Sequence, residues 1–127
     1  MWIASSLGFY SIVYKTSHLD PDGPPVYLVR ARDKADLTRL VKTLKKKNPY
    51  DKDFLKVHEY SRSDYPYRII ARDAAMLNDV LACLGDSVDY DNFKNKIHDT
   101  PHQKDKLDSY ESLWELLYNA LYHLRPK

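Results

Sequence analysis

One pattern of apolar and polar positions occurs twice in this chain, forty residues apart. The segment from Tyr27 to Leu37 returns from Tyr67 to Leu77, with Tyr, Ala, Arg, Asp, Ala and Leu at matching positions. Before each Asp the apolar residues alternate, which predicts a strand, and after it they recur every three or four residues, which predicts a helix. Asp33 and Asp73 occupy the N-cap position, where a carboxylate accepts the free amides of the first helical turn. The sequence therefore predicts a duplicated strand–cap–helix unit, spanning 26–46 and 67–85.

The rest of the chain divides into further short strands and helices. Strands are predicted at 2–5, 9–15, 26–32, 54–60 and 67–72, and helices at 34–46, 74–84, 91–98 and about 105–124. Gly85 is expected to terminate the second repeat helix. The order from the third strand onward is β-α-β-β-α, which predicts a ferredoxin-like α+β fold with an N-terminal hairpin supplying an edge strand. We expect one domain over 1–127, an antiparallel sheet and both repeat helices on one face.

The last predicted helix has the strongest amphipathic pattern in the chain. Its apolar stripe at spacings of three and four comprises Leu107, Tyr110, Trp114, Leu117, Leu121 and Leu124. A stripe of this length needs an apolar partner. The sequence therefore predicts that the stripe is buried in the fold or in a dimer.

Alternation also assigns the strand residues to two faces of the sheet. Tyr27, Val29 and Ala31, with their counterparts in the second repeat, are expected under the helices, and the alternate residues point to the opposite, outer face. The outer face then holds seven candidate binding residues: Arg30, Arg32, Lys56, His58, Tyr60, Arg68 and Arg72. Basic side chains among aromatic ones on an open sheet are typical of surfaces that bind single-stranded nucleic acid.

Apolar residues are interleaved with these arginines, and they favour a second interpretation. Leu28 and Ile70 would belong to a second core if the C-terminal helix crosses the outer face. The arginines would then pair with acids such as Glu111 or Glu115 instead of with a ligand. The sequence leaves both arrangements open.

Charge is distributed unevenly along the chain. Residues 1–72 contain 14 Lys and Arg against 8 Asp and Glu, a net charge of +6, whereas residues 73–127 contain 6 against 10, a net charge of −4. The basic part is the expected contact surface for an anionic partner. A single cysteine, Cys83, excludes an intrachain disulfide, and no signal peptide or membrane span is recognisable. We therefore expect a cytoplasmic protein that does not engage a membrane.

Signals for catalysis are weak. Only three glycines are present, so no Gly-rich phosphate-binding loop can form. His98 and His102 are separated by Pro101 and do not share a regular helix face, and Cys83 is expected to be packed rather than nucleophilic. We predict no metal site, no cofactor and no catalytic residues, and an enzyme is the less favoured interpretation.

Several short motifs resemble a known group of proteins. They are Met1-Trp2-Ile3, Gly8-Phe9, Ser11-Ile12-Val13, Arg30-Ala31-Arg32, Asp64-Tyr65, Tyr67-Arg68, Asp89-Tyr90, Asn92-Phe93-Lys94, and Tyr110 with Trp114. In these motifs the chain resembles a family of small uncharacterised bacterial and bacteriophage proteins, from which it departs in the loop at 18–25 and the basic stretch at 45–56. The resemblance implies no catalytic residues. Its phage members imply a possible role as an inhibitor of host defence.

Together these features predict a non-enzymatic binding protein. Its basic, Tyr-rich sheet surface would engage nucleic acid or a nucleoprotein complex. One alternative is a homodimeric protein–protein interaction module that pairs through the C-terminal helices or the sheet faces. Another is a small enzyme acting on an anionic substrate.

Overall fold

The computed structural model describes residues 1–47 and 55–126. Within them the strands are β1 (Trp2–Ala4), β2 (Phe9–Lys15), β3 (Val26–Ala31), β4 (His58–Glu59) and β5 (Tyr67–Ala71). The α-helices are α1 (Lys34–Lys47), α2 (Ala74–Asp86), α3 (Phe93–His98) and α4 (Leu107–Ala120), with short 3-10 turns on either side of α4. The chain forms two compact units, Met1–Asp89 with the sheet, α1 and α2, and Tyr90–Lys127 with α3 and α4.

The sheet has the strand order β1-β2-β3-β5-β4, and every neighbouring pair is antiparallel. The N-terminal hairpin β1–β2 lies beside β3, as the sequence predicts. β5 lies between β3 and β4, so the segment that contains α1 takes the chain past the position of β5 to the edge strand β4. The chain then returns through β5, which pairs with both β4 and β3. The predicted α+β class and the antiparallel sheet are confirmed.

The strands β3 and β5 are each followed, two residues later, by an aspartate that caps the next helix. The Asp33 carboxylate accepts a hydrogen bond from the amide of Ala35, at 2.9 Å. The Asp73 carboxylate accepts one from the amide of Met76, also at 2.9 Å. An N-cap oxygen satisfies amides that have no partner inside the helix, so each aspartate fixes the residue at which its helix begins.

A single apolar core lies between one face of the sheet and the helices α1 and α2. It contains the inward residues of three strands, Tyr10, Ile12, Val29, Ala31, Ile69 and Ala71, and the apolar faces of both helices. The assignment of inner and outer faces from alternation is therefore confirmed. On the outer face Leu28 and Ile70 are also buried, and they do not belong to this core.

Several predicted boundaries differ from the structure, and the last predicted helix, about 105–124, is α-helical only over Leu107–Ala120. Helix α2 continues through Gly85 to Asp86 and ends at Ser87, whose hydroxyl donates to the Leu84 carbonyl. Gly85 is thus not the terminating residue, because no left-handed conformation is needed there. The predicted strand at 54–60 is formed only at His58–Glu59, and Phe54 lies outside the described residues.

In the second unit, α3 packs on the first turns of α4. Asn92 caps α3 by accepting from the Asn95 amide at 3.0 Å, and the Phe93 ring lies 5.2 Å from that of Tyr110. The prediction that the apolar stripe of the last helix is buried within the chain is wrong for the residues after Tyr110. Trp114 is 55% exposed, and every residue from Glu111 to Pro126 is exposed. No helix in the described ranges is long and apolar enough to cross a membrane.

The hairpin β1–β2 is fastened to α1 by a buried aspartate that local sequence patterns did not identify. Asp36 is 1% exposed, and its carboxylate accepts the Phe9 amide at 3.0 Å and forms an ion pair with Arg39. Arg39 in turn donates to the Leu7 carbonyl at 2.8 Å. A side chain at Gly8 would overlap Asp36, so this glycine permits the close approach. We name these contacts the Asp36 clamp.

Removing the Asp36 carboxylate should destabilise the fold more than removing a helix cap. Asp36→Ala leaves Arg39 without its partner and should lower the free energy of unfolding by about 3 kcal/mol. Asp73→Ala, which removes one exposed cap, should lower it by about 1 kcal/mol. Chemical denaturation of both variants measures the difference, and equal losses would show that the clamp does not hold the hairpin.

Candidate nucleic-acid interface

The strand register places a row of polar side chains across the outer face. Ser11 on β2 lies opposite Arg30 on β3, Arg30 opposite Arg68 on β5, and Arg68 opposite His58 on β4. Directly opposed residues on antiparallel strands have their Cβ atoms about 5 Å apart and point to the same face. We call these four residues the polar row. Its centre brings two arginines side by side.

Arg30 is fixed from two directions. One guanidinium nitrogen donates to the Ser11 hydroxyl at 2.8 Å, and the guanidinium carbon lies 4.8 Å from the centre of the Tyr65 ring. The guanidinium of Arg32 lies over the same ring, at 4.6 Å. Tyr65 is buried, and its ring makes cation–π contacts with both guanidinium groups.

Arg68 is held by the loop that joins β4 to β5. Its guanidinium donates to the Tyr65 carbonyl at 2.9 Å and lies 5.3 Å from the centre of the Tyr60 ring. Tyr60 also stacks on the imidazole of His18, with ring centres 4.8 Å apart. His18 belongs to the loop between β2 and β3, so side chains from two loops surround Arg68.

The four outer-face arginines form no ion pair within the described part of the chain. Among residues 1–47 and 55–126, no carboxylate lies within ion-pair distance of any of them. Burial, followed by the charge of Arg30, lowers the pKa of Arg68, and Tyr60 and Asp64 only partly oppose this. The Nε atoms of Arg30 and Arg68 are buried without a hydrogen-bond partner. Since arginine stays protonated, an excess of positive charge remains on this face.

The predicted binding residues divide into a buried and an exposed group. Arg30 and Arg68 lie on the outer face as expected, but they are only 9% and 2% exposed, so they do not form an open platform. Arg32, Lys56 and Arg72 are exposed, Tyr60 is 36% exposed, and His58 is half-buried. Lys56 precedes β4 and is not part of the polar row.

Two important contributors were not among the predicted site residues. His18 and Tyr65 lie in loops, where no periodicity indicates which way a side chain points. Ser11 follows the alternation of β2, so its place opposite Arg30 could be inferred only with the strand order. The loop residues could not be placed from sequence patterns because their contacts are with strands distant in the chain.

A shallow cavity of about 250 Å³ lies beside Arg72. Its walls are formed by Ser17, Leu19, Asp20, Pro24, Pro25, Val26, Ile70 and Arg72. The lining combines apolar side chains with one arginine and one aspartate, which suits a small, partly apolar group that forms a few polar contacts.

Features of a catalytic centre are weak in the described part of the chain. Burial raises the pKa of the Cys83 thiol, which keeps it protonated and a poor nucleophile. No group of His, Cys, Asp and Glu side chains within residues 1–47 and 55–126 is arranged to hold a metal ion. The polar row therefore remains the most distinctive chemical feature of the first unit.

His18 should make the stability of the protein depend on pH. Burial lowers its pKa below the ordinary value of 6.5, and the charges of Arg68 and His58 lower it further. His18 in the unfolded chain then binds the proton more tightly than His18 in the folded chain. The free energy of unfolding therefore has its full value above pH 6.5 and falls as the pH decreases through that value. Thermal unfolding between pH 7.5 and about pH 5 should show this loss.

The variant His18→Gln should reduce that loss because it cannot acquire a charge beside Arg68. His123→Gln, which changes an exposed imidazole in the second unit, is the matched control and should retain the parent profile. An unchanged slope in His18→Gln would contradict the assignment.

Comparison with known proteins gives no relative for this chain. No protein-family model matches the sequence, no curated protein matches it, and no solved structure matches the fold.

Proposed function

We propose that this protein is a non-enzymatic binding protein for single-stranded nucleic acid, whose phosphates are attracted to the polar row. The observation that supports this most strongly is the pair Arg30 and Arg68, which lie side by side without an ion-paired carboxylate in the described residues. A phosphate is the commonest anion that arginine recognises, through paired N–H donors.

The energetics of buried charge support a ligand at this place. Two like charges in a partly desolvated site repel each other and lose hydration, and a bound anion would offset both costs. Arg32, Arg72 and Lys56 are exposed and are available for direct contact with phosphates. We therefore propose that these three residues contact the phosphates directly. Arg30 and Arg68 would contribute the positive potential that attracts them.

The positions of the aromatic rings favour recognition of the backbone over recognition of bases. Tyr65 is covered by Arg30 and Arg32, and Tyr60 by Arg68 and His18, so neither ring has a fully open face for stacking. The cavity beside Arg72 is the place for one base. Binding should accordingly depend strongly on salt and only weakly on sequence.

We also infer a ferredoxin-like arrangement for the first unit. The order β3-β5-β4, with α1 between β3 and β4 and α2 after β5, supports it, and β2 would take the place of the missing edge strand.

Binding of a fluorescent single-stranded oligonucleotide, followed by anisotropy, tests the proposal. The logarithm of affinity should fall linearly with the logarithm of salt concentration, and each lost phosphate contact should reduce the slope by about 0.7. Arg32→Ala and Arg72→Ala should each weaken binding without lowering the melting temperature, because both side chains are exposed. Arg72→Lys should retain most of the affinity, since an ammonium still contacts phosphate.

Lys45→Ala provides the matched control, because it also removes one positive charge, from the exposed end of α1. The affinity of this variant should stay close to that of the parent. The proposal would be overturned by absent binding at low salt, or by an equal loss of affinity in the α1 control.

A further inference from the structure

The exposed face of α4 is a second unexplained surface, independent of the polar row. Within the second unit, Tyr110 packs on Phe93 and the Lys94 ammonium lies 4.6 Å from the centre of the Trp114 ring. A stripe of exposed apolar residues runs along α4 and continues into the 3-10 turn Tyr122–Leu124 that follows it: Leu113, Trp114, Leu117, Tyr118, Leu121 and Leu124. Their exposed fractions range from 37% to 69%.

This stripe is at the upper end of what a monomer ordinarily presents. With full accessible areas of about 200 Å² for leucine and about 250 Å² for the aromatic residues, its exposed surface is roughly 650 Å², polar atoms included. The largest apolar patch on a typical monomer is about 300–600 Å². Two such stripes, covered completely, would bury about 1,300 Å² in total, which exceeds the roughly 1,000 Å² that a specific interface requires.

The order of residues along the stripe is nearly symmetric about Leu117. Leu113 and Leu121 lie four residues to either side of it, and Trp114 and Ala120 lie three residues to either side. In an antiparallel pair of α4 helices centred on Leu117, leucine would meet leucine, and the bulky Trp114 would meet the small Ala120. Such matching of large with small side chains allows two helices to pack closely.

Charge distinguishes the antiparallel pair from a parallel one. Both acidic residues that flank the exposed stripe, Glu111 and Glu115, lie within α4. A parallel partner opposes Glu111 to Glu111 and Glu115 to Glu115, whereas an antiparallel partner separates these like charges. Antiparallel helix dipoles are also favourably aligned.

We propose that the protein forms a twofold-symmetric homodimer through antiparallel pairing of α4, with Leu117 on the axis. The partner that covers the stripe is thus a second copy of this chain, and both copies contribute the same surface to the interface. This proposal does not depend on nucleic-acid binding by the polar row.

Sedimentation equilibrium of the full chain tests the pairing. The mass should rise from one chain to two with concentration, and Leu117→Glu should raise the dimer dissociation constant by about 100-fold or more, because two carboxylates would meet on the axis. The fold should persist by circular dichroism, since Leu117 is 47% exposed in the single chain. Leu116→Glu, on the opposite side of the helix and 64% exposed, is the matched control and should leave the dimer intact.

The register has its own test. With Cys83 replaced by serine, Leu117→Cys should form a disulfide between two copies faster than Leu116→Cys, because residue 117 lies on the twofold axis. A chain that stays monomeric at all concentrations, or equal effects at 116 and 117, would overturn the proposal.

Discussion

Two arginines are buried at opposed positions on the outer face of the sheet, and satisfying these two positive charges is the constraint on the surrounding loops. Arg30 and Arg68 are opposite each other in the antiparallel register and are almost completely buried. Because no ion-paired carboxylate of the described residues compensates them, they depend on weaker partners: a hydroxyl, a carbonyl and the faces of Tyr60 and Tyr65. The loops that supply Tyr60 and Tyr65 are therefore part of the site.

Periodicity and capping were sufficient to predict the scaffold of the first unit. Strand alternation, helical spacing and the two aspartate caps are local signals, and they gave the strand–helix order and the two faces of the sheet correctly. The Asp36 clamp and the positions of His18 and Tyr65 depend on contacts between segments distant in the sequence. Gly85 was misassigned because a glycine near a helix end is compatible with continuation of the helix.

The candidate site shows the same division between local and long-range information. Alternation placed Arg30 and Arg68 on the outer face, but it could not determine their burial, which depends on residues outside the strands. The amphipathic pattern of α4 was recognised correctly as well. What it could not indicate was that the residues after Tyr110 are exposed, since a sequence stripe looks the same whether it packs inside a chain or between chains.

Binding of phosphate near the two buried arginines is the central claim, and nuclear magnetic resonance of the arginine Nε–Hε groups tests it most directly. Titration with a single-stranded oligonucleotide at low salt should shift the signals of Arg30 and Arg68 together with those of Arg32 and Arg72, with one common affinity. Added salt should reverse all four shifts. Signals of Arg30 and Arg68 that stay unchanged while the oligonucleotide binds elsewhere would contradict the account.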